Sequence, residues 1–583
     1  MTVAEYLFDF LQKKGLETVF MVSGSSSMWL TDALYRNQRL QAVCCHHEQA
    51  AAMAADGYGR LHGIPGCCLV TIGPGATNAI TGVAQAFLDS SPMIVISGQA
   101  NSKLLQYTAD TGIRQVGTQS LHLQPIVSSI TKYFRVVLDP NATPTLLQEA
   151  FQAAISDRPG PVWLDVPIDI QNKTIAEPIS FPHPAASSAF PKSSLSEEEE
   201  QTILQTLADA QQPLILAGGG IRQANACEEL EMLTAQGDIP IVTSRGGIDT
   251  IASDNRYFVG RPGAYGDRAS HFAIQQCDCL LVLGSRLSVS TVGYYPEQFG
   301  KKATKIRIDI DTKELDRKAV PIDHAYCGDL KIILQKLLKK LPKHRSHTKW
   351  IEKCQAWKTQ YPNVQPSYAT EYPLNEYWVT SVLSQLAPAP SNIVVDTGSV
   401  CNVVSQSWFL KKGQRYFISG GLSCMGFWAT ALGTLQKNRS TLAITGDGSM
   451  QMNVQELATL AYHSFPVKVF IYHNNGYMLI RHNQHNYMND RFLGVGPDSG
   501  VQTPDFCKVA EAYGIPSVCI EKREELKPSL QKVLEATHPI VCQIKVQEFA
   551  PIIPRIASRV QPDGSLKAAD FDDLYPFLDK KEA

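Results

Sequence analysis

A chain of 583 residues is too long for one hydrophobic core and is expected to divide into about three or four domains. With 19% charged residues, 44% hydrophobic residues and a formal net charge of −2, it offers neither the basic field that binds nucleic acid nor an acidic tail. No apolar run approaches the ~20 residues that span a bilayer, and the opening MTVAEYLFDFLQKK reads as an amphipathic helix carrying acids, not as a signal peptide.

Residues 1–172 alternate helix and strand patterns: a helix over 4–14, then strands over 18–22, 67–72, 93–97 and 162–166. Such alternation predicts a mostly parallel sheet covered by helices on both faces. Cys45-His46-His47-Glu48 opens a helix over 50–61, and a Glu in that place is ordinarily a partner for the helix dipole. Between the strands 67–72 and 93–97 lie Gly73-Pro74-Gly75 and a helix over 76–87. Residues 173–196, rich in Pro, Ser and Ala and without periodicity, read as a linker. Residues 197–345 form a second α/β region. Its strand 213–217 runs into Gly218-Gly219-Gly220, followed by a helix over 228–236 and strands over 239–243, 280–283 and 306–310. The glycine triplet lacks the G-x-G-x-x-G spacing of a nicotinamide fingerprint. The Lys-rich stretch 331–345 reads as a solvated helix face. The fourteen cysteines are scattered, none with metal-knuckle spacing, and Cys277-x-Cys279 sits in an apolar run; reduced cytoplasmic thiols account for them.

The most informative stretch is 440–475, inside a third region spanning 365–550. An apolar run at 441–445 breaks at Gly446-Asp447-Gly448-Ser449. Val454, Leu457 and Leu460 follow at helical spacing, and a second apolar run, 467–472, ends on His473-Asn474-Asn475-Gly476. This is strand, tight turn, helix, strand, and its two strands are expected to be parallel. If they are neighbours, Asp447 and Asn474 leave ends roughly 5 Å apart, on the side where open α/β sheets bind ligands. A carboxylate, an amide oxygen and a bare glycine turn suit Mg²⁺ completed by phosphate oxygens and water. The amides of Gly448 and Ser449 could donate to the same phosphates. The tail, 551–583, is Pro-rich and could fold over an active-site mouth or pack on the surface.

With twenty-five residues between Gly448 and Asn474, the stretch resembles the signature of thiamin-diphosphate enzymes. HHEQAAAMAADGYGRLHG, followed by VTIGPGATNAITGVAQAFLDSSPMIVISGQ, is similar to the pyrimidine-binding domain of their acetolactate synthase branch. The resemblance extends over nearly the whole chain. It implies α/β architecture with three doubly wound parallel-sheet domains: pyrimidine-binding, central, and diphosphate-binding. It places Glu48 against the aminopyrimidine ring nitrogen, with Gly75 and Asn78 nearby. It puts Thr397, Gly398 and Ser399 in the diphosphate loop and Ser423 and Met425 in a G-L-G-T-M-G-like turn, with Met425 propping the bent cofactor. Gly446, Asp447, Gly448, Ser449, Asn474, Gly476 and Tyr477 complete the diphosphate site, with Asp447, Asn474 and the Gly476 carbonyl on the metal. Gln119 matches an active-site Gln, and Gln115 is its rival if the register slips. His46 and His47 are candidate proton shuttles or structural histidines.

In the central region the resemblance implies FAD, structural rather than redox-active, near Arg158, Gly218, Gly219, Gly220, Gly263, Gly284, Ser285, Arg286, Asp309, Ile310 and Asp329. It also implies a homodimer or homotetramer with sites between subunits. The expected reaction is decarboxylation of a 2-keto acid, pyruvate first, and ligation of the activated two-carbon unit to a carbonyl acceptor. The chain departs from biosynthetic acetolactate synthases in three places. Gly284-Ser285-Arg286-Leu287-Ser288-Val289-Ser290 stands for their G-x-R-F-D-D-R, and Thr397-Gly398-Ser399-Val400 replaces their Gly-Gln-His. The Trp that selects 2-ketobutyrate falls near Asn483. Asn474 to Arg481, Ser499-Gly500-Val501 and the ending Ser558-Arg559 with Pro562-Asp563-Gly564-Ser565 resemble instead acetolactate-synthase-like proteins of surface-sugar pathways. Alternative expectations are an authentic acetolactate synthase, a simple 2-keto acid decarboxylase, a diketone C–C hydrolase, or an inactive cofactor-binding regulatory paralogue.

Overall fold

Three parallel sheets of six strands each organise the chain in a computed structural model, which describes residues 1–176, 195–342, 346–560 and 566–578. Most of the expected linker therefore lies outside the described residues, as do 343–345 of the Lys-rich stretch and 561–565 of the tail.

The first sheet holds β1 (Thr18–Met21), β2 (Gln41–Cys44), β3 (Gly66–Val70), β4 (Met93–Gln99), β5 (Tyr133–Val136) and β6 (Pro161–Pro167), in the order β2-β1-β3-β4-β6-β5. The inner strands β3, β4 and β6 are buried along their whole length, whereas the edge strands β2 and β5 are half exposed. That is the signature of a parallel sheet covered on both faces. The N-terminal helix Val3–Lys13 starts on a capping box: Thr2 Oγ1 accepts from the Glu5 N–H at 3.2 Å and the Glu5 carboxylate from the Thr2 N–H at 2.8 Å. The helix expected over 76–87 is two, Pro74–Asn78 and Ile80–Leu88, jointed at Ala79.

The central sheet holds β7 (Pro213–Ala217), β8 (Ile241–Thr243), β9 (Phe258–Gly260), β10 (Cys279–Leu283), β11 (Thr304–Asp309) and β12 (His324–Cys327), in the order β12-β11-β10-β7-β8-β9. This is the dinucleotide-binding order, and its switch point lies between β7 and β10. Strand β8 is shorter than the expected 239–243, because Pro240 has no N–H to add to the ladder. Cys277 and Cys279 are core residues. The Lys-rich stretch forms the helix Leu330–Lys340, which buries Leu330, Ile333, Leu334 and Leu337; Lys336 and Lys340 pair with Glu200 at its surface.

The third sheet holds β13 (Ser391–Val395), β14 (Arg415–Ile418), β15 (Ser440–Gly446), β16 (Val467–His473), β17 (Ser517–Ile520) and β18 (Ile540–Lys545). Its order, β14-β13-β15-β16-β18-β17, repeats that of the first sheet strand for strand. The two terminal regions pack closely on each other. The helix Glu48–His62 is rich in Ala and Gly, and it lies against the short helical segment Phe427–Gly433. A Cβ at Gly433 would stand 1.7 Å from the Ala54 carbonyl oxygen and one at Gly57 2.6 Å from that of Thr430. Arg60 fastens the contact: it is bonded to Asp56 and Asp89, and donates to the Ile418 carbonyl at 2.8 Å.

The tail docks on the central region. Phe571 and Leu574 are buried, His271 stacks on the Phe571 ring with centroids 4.1 Å apart, and Arg268 donates to the Leu574 carbonyl at 3.0 Å.

Candidate functional site

The diphosphate side is built from two adjoining strands. β15 and β16 pair in parallel with Gly446 opposite Tyr472, so Asp447 and Asn474 do leave equivalent ends of the sheet. Asp447 is 1% exposed. Its Oδ1 accepts from the Gly448 N–H at 2.7 Å, and its Oδ2 accepts from the N–H groups of Asn474 at 3.0 Å and Gly476 at 3.2 Å. Burial pushes this carboxyl up from its ordinary range, while His473 and the N–H groups of Gly448, Gly476 and Asn475 oppose the shift. The Gly448 N–H is engaged by Asp447 in this structure, and Ser449 follows it in the short helix Asp447–Met450.

Asn474 is the informative side chain. Its Nδ2 donates to Glu376 Oε1 at 3.1 Å, while its Oδ1 is buried and has no partner; Glu376 Oε2 is likewise buried and unpartnered. Buried polar atoms are almost always satisfied, so an orphaned amide oxygen beside a buried carboxylate marks a place for a ligand. Gly476, at φ +131, brings its backbone alongside, and a Cβ there would lie 2.2 Å from the Val495 carbonyl oxygen. The Tyr477 ring packs over Gly448, where a Cβ would come within 2.3 Å of it. Arg481, with no carboxylate partner among the described residues, holds the loop by donating to the carbonyls of Asn475 at 2.8 Å, Val495 at 3.1 Å and Glu548 at 2.5 Å.

Across the strand ends, Asp396 is fully buried and accepts from Thr397 N–H, Thr445 Oγ1, Phe427 N–H and Trp428 N–H. It thereby ties the start of the Thr397-Gly398-Ser399 turn to Phe427-Trp428, just after Met425, and burial pushes it up to about 6. Gly398, at φ +89, faces open space, since a Cβ there would meet nothing within 4 Å. Ser423 adopts φ +54, and Met425 is half-buried.

The pyrimidine side gathers at the start of the helix Glu48–His62. His47 is the N-cap of this helix, its Nδ1 accepting from the Gln49 N–H at 3.1 Å. Glu48 Oε2 accepts from Asn78 Nδ2 at 2.9 Å, and a Cβ on Gly75 would stand 3.4 Å from Glu48 Oε1. Gln119, at φ +64, packs its backbone against Gly73 in the same corner, where a Cβ on Gly73 would lie 2.6 Å from its carbonyl oxygen. Gln115, by contrast, donates to the Ser120 carbonyl at 3.2 Å on an exposed loop. Sequence reasoning missed Glu456, whose buried carboxylate accepts from the His46 N–H at 3.0 Å and Thr459 Oγ1 at 2.7 Å, with its pKa pushed up to about 7 by burial. It holds the approach to Glu48 from the third region.

A cavity of about 1220 Å³ opens at the central switch point. Arg158, Gly219, Gly220, Gly284, Ser285, Arg286, Asp309, Ile310 and Asp329 line it, together with Leu88–Pro92 of the first region and Arg415–Gly420 of the third. Gly218 and Gly263 are not in its wall. Gly218 instead allows the turns after β7 and β10 to cross, since a Cβ on it would lie 2.1 Å from the Gly284 carbonyl oxygen. Gly263, at φ +145, sits under the Ser290 carbonyl. Arg158 is engaged by Asp311 at 2.9 Å and Glu314 at 3.1 Å, whereas Arg245 and Arg286 face the cavity with no carboxylate partner among the described residues.

The chain matches three family models: the N-terminal thiamine pyrophosphate binding domain over residues 1–124, the central domain over 201–337 and the C-terminal thiamine pyrophosphate binding domain over 396–544. The fold and site thus define a thiamin-diphosphate-dependent enzyme. The chain is 32% identical to the probable acetolactate synthase large subunit of Methanocaldococcus jannaschii, covering 99% of both chains. It is 30% identical to the acetolactate synthase isozyme 2 large subunit of Escherichia coli over 96% of this chain and 98% of that one, and 31% identical to the chloroplastic acetolactate synthase of Arabidopsis thaliana over 95% and 83%. It belongs to the acetolactate synthase family of these enzymes, which carry out decarboxylation and carboligation.

Proposed function

We propose that the enzyme decarboxylates pyruvate and transfers the two-carbon unit to a carbonyl acceptor, yielding a 2-hydroxy ketone. The observation that carries this reading is the buried, unpartnered Oδ1 of Asn474, a residue whose backbone N–H is bonded to the buried Asp447 carboxylate at 3.0 Å. Asp447, Asn474 and the Gly476 carbonyl form an oxygen donor set suited to Mg²⁺, whose remaining positions go to diphosphate oxygens and water. Thiamin diphosphate, when bound, supplies the electron sink that lets carbon dioxide leave. Asn78 holds Glu48 Oε2, which leaves Oε1 as the atom that would hold or release a proton toward a bound aminopyrimidine. Met425 would support the cofactor, and Gln119 would contact substrate.

In a single chain Glu48 is half exposed, Asn78 is exposed, and neither shares a hydrogen-bond partner with Asp447 among the described residues. This supports a homodimer or homotetramer whose sites pair Glu48 of one copy with Asp447 of another. The central cavity, with its dinucleotide strand order and uncompensated Arg245 and Arg286, suits FAD held as a structural cofactor. Fourteen cysteines outside any disulfide support a cytoplasmic setting, and among the described residues no helix is long and apolar enough to cross a membrane.

The test is purified protein with thiamin diphosphate, Mg²⁺ and pyruvate, following carbon dioxide and the product masses with and without a keto-sugar. Acetolactate as the product assigns a second pyruvate as acceptor, as the relatives' names suggest. A two-carbon mass gain on the sugar assigns the branching carboligase that the residues around Asn483 favour. Glu48→Gln should lower the rate by about 10²- to 10⁴-fold with cofactor still bound; near wild-type turnover refutes the assignment.

A further inference from the structure

Glu376 is the least accounted-for group near the site. It opens the helix Glu376–Leu386, is 1% exposed, and lies far from Asn474 in sequence, yet its Oε1 takes the Asn474 amide N–H at 3.1 Å. Its Oε2 has no partner. The bland reading is a helix-dipole partner. The helix start is already served, however: Asn375 is the N-cap, and its Oδ1 accepts from the Tyr377 N–H at 2.9 Å. A carboxylate with one oxygen on Asn474 and the other on nothing is a poor cap and an expensive group to bury.

What it does accomplish is to break the symmetry of an amide. The two ends of an Asn side chain are nearly the same size, and without a directing partner Asn474 could turn either end toward Asp447. A carboxylate accepts only, so against Glu376 the amide can place its NH₂ alone, and the oxygen is forced to the opposite side, where it is buried and unpartnered. The Asn474 backbone is fixed separately, by its N–H to Asp447 Oδ2 at 3.0 Å, so only the side-chain orientation is left to determine.

We propose that Glu376 is a positioning residue of the divalent-cation centre: by accepting the Asn474 amide N–H, it commits the Asn474 oxygen to the cation. The inference rests on the metal reading of Asp447 and Asn474 given above. Groups that orient metal ligands in this way are ordinarily worth about 10- to 100-fold in metal affinity.

The experiment titrates Mg²⁺ against the full-length protein at fixed thiamin diphosphate and reads cofactor binding by the change in intrinsic fluorescence, independent of turnover. Glu376→Met, which removes the acceptor, should raise the half-saturating Mg²⁺ by about 10- to 100-fold, with turnover recovering at saturating Mg²⁺. Glu376→Gln can still accept the same N–H but can also turn its own NH₂ toward Asn474, so it directs the amide less strictly and should fall between wild type and Glu376→Met. The reciprocal swap guards against a variant that merely folds badly. Asn474→Asp alone sets two carboxylates against each other and should lose cofactor binding, and adding Glu376→Gln, whose amide can donate to the new carboxylate, should restore it at least tenfold. Wild-type Mg²⁺ response in Glu376→Met, a larger loss in Glu376→Gln than in Glu376→Met, or no rescue in the double variant overturns the proposal. Asp447→Ala separates the two layers. If it abolishes Mg²⁺-dependent binding while Glu376→Met does not, only the positioning role falls; if it changes nothing, the metal reading fails and takes the inference with it.

Discussion

The docking of the tail makes a pH-dependent prediction that can be worked out from one residue. His271 is fully buried, its Nδ1 2.5 Å from the Phe571 carbonyl oxygen and its Nε2 3.1 Å from the Gly263 N–H, and its ring is stacked on Phe571. Burial dominates its titration and pushes its pKa from 6.5 down to about 4; Arg268 on the same helix adds to the shift. The neutral ring is thus the form that suits the docked tail, and a released tail takes up a proton that the docked one refuses. The undocked state binds more protons below its ordinary pKa, so stability falls as pH falls: the loss begins near 6.5 and is complete below about 4. Between pH 8 and pH 5 the difference amounts to about 2 kcal/mol, or a roughly 30-fold increase in the tail-open population. A chain of several domains does not unfold as one unit, so the readout must be local. Arg555 and Tyr575 exchange backbone hydrogen bonds at 2.7 and 3.0 Å, and their amides report tail opening directly. Hydrogen-exchange protection at these amides, corrected for intrinsic rates, should fall about 30-fold from pH 8 to pH 5 in the wild type and remain nearly flat in His271→Gln. Asp267 and Asp572, whose carboxyls burial raises, shift stability the other way, and the comparison of the two proteins cancels them. Equal pH slopes in the two proteins would refute the reasoning.

Two further outcomes follow from contacts already described. Gly433→Ala places a methyl group 1.7 Å from the Ala54 carbonyl oxygen, a backbone neighbour that cannot rotate away, and should cost at least ~3 kcal/mol, read as a loss of thermal stability or of soluble protein. If the central cavity holds FAD, denatured protein will release a yellow, fluorescent flavin, and Arg286→Ala should weaken its retention on dialysis by about tenfold, since a charged hydrogen-bond donor to a phosphate is lost; absence of flavin after purification and after reconstitution would assign the cavity elsewhere.

The parts of the site that were legible in sequence are those confined to one supersecondary unit. Gly446-Asp447-Gly448 and Asn474 are close along the chain, and a strand-turn-helix-strand unit carries both to the same edge, so spacing alone placed them. The inner strands were legible because sheets buried on both faces demand unbroken apolar runs. The edge strands Gln41–Cys44 and Tyr133–Val136 are four residues long and half exposed, and such short segments carry no periodic signal. Glu48, read by position alone, was a dipole partner; the resemblance gave it a chemical role, and the structure adds the bond to Asn78. Glu376 and Glu456 were invisible because each does its work across a large gap in sequence, 98 residues to Asn474 and 410 to His46. A buried acid at or near a helix start looks like any other until its partner is known.

The bond between Glu456 and His46 also bears on why one chain should be insufficient. Glu456 follows the Gly-Asp-Gly turn within the same connection between β15 and β16, and His46 lies two residues before Glu48. With the Gly433–Ala54 backbone contact and the Arg60 network, this bond fixes the start of the pyrimidine-side helix against the diphosphate-side region of its own chain. Two halves held by buried backbone contacts cannot hinge toward each other without losing those contacts, so in the proposed dimer the open faces would be covered from outside. Those faces carry the groups that need cover: Glu48 half exposed, Asn78 exposed, and Leu422 and Met452 showing 37% and 45% of their surface. A Glu that trades a proton with a cofactor works best where its hydrogen bond is sheltered from water. In the proposed dimer a second copy, presenting its own diphosphate side, would bring that shelter and the other half of the site in one step. The same rigid back-to-back packing would then run through both copies, so Glu456 would stand behind the pyrimidine half of one site and the diphosphate half of the other.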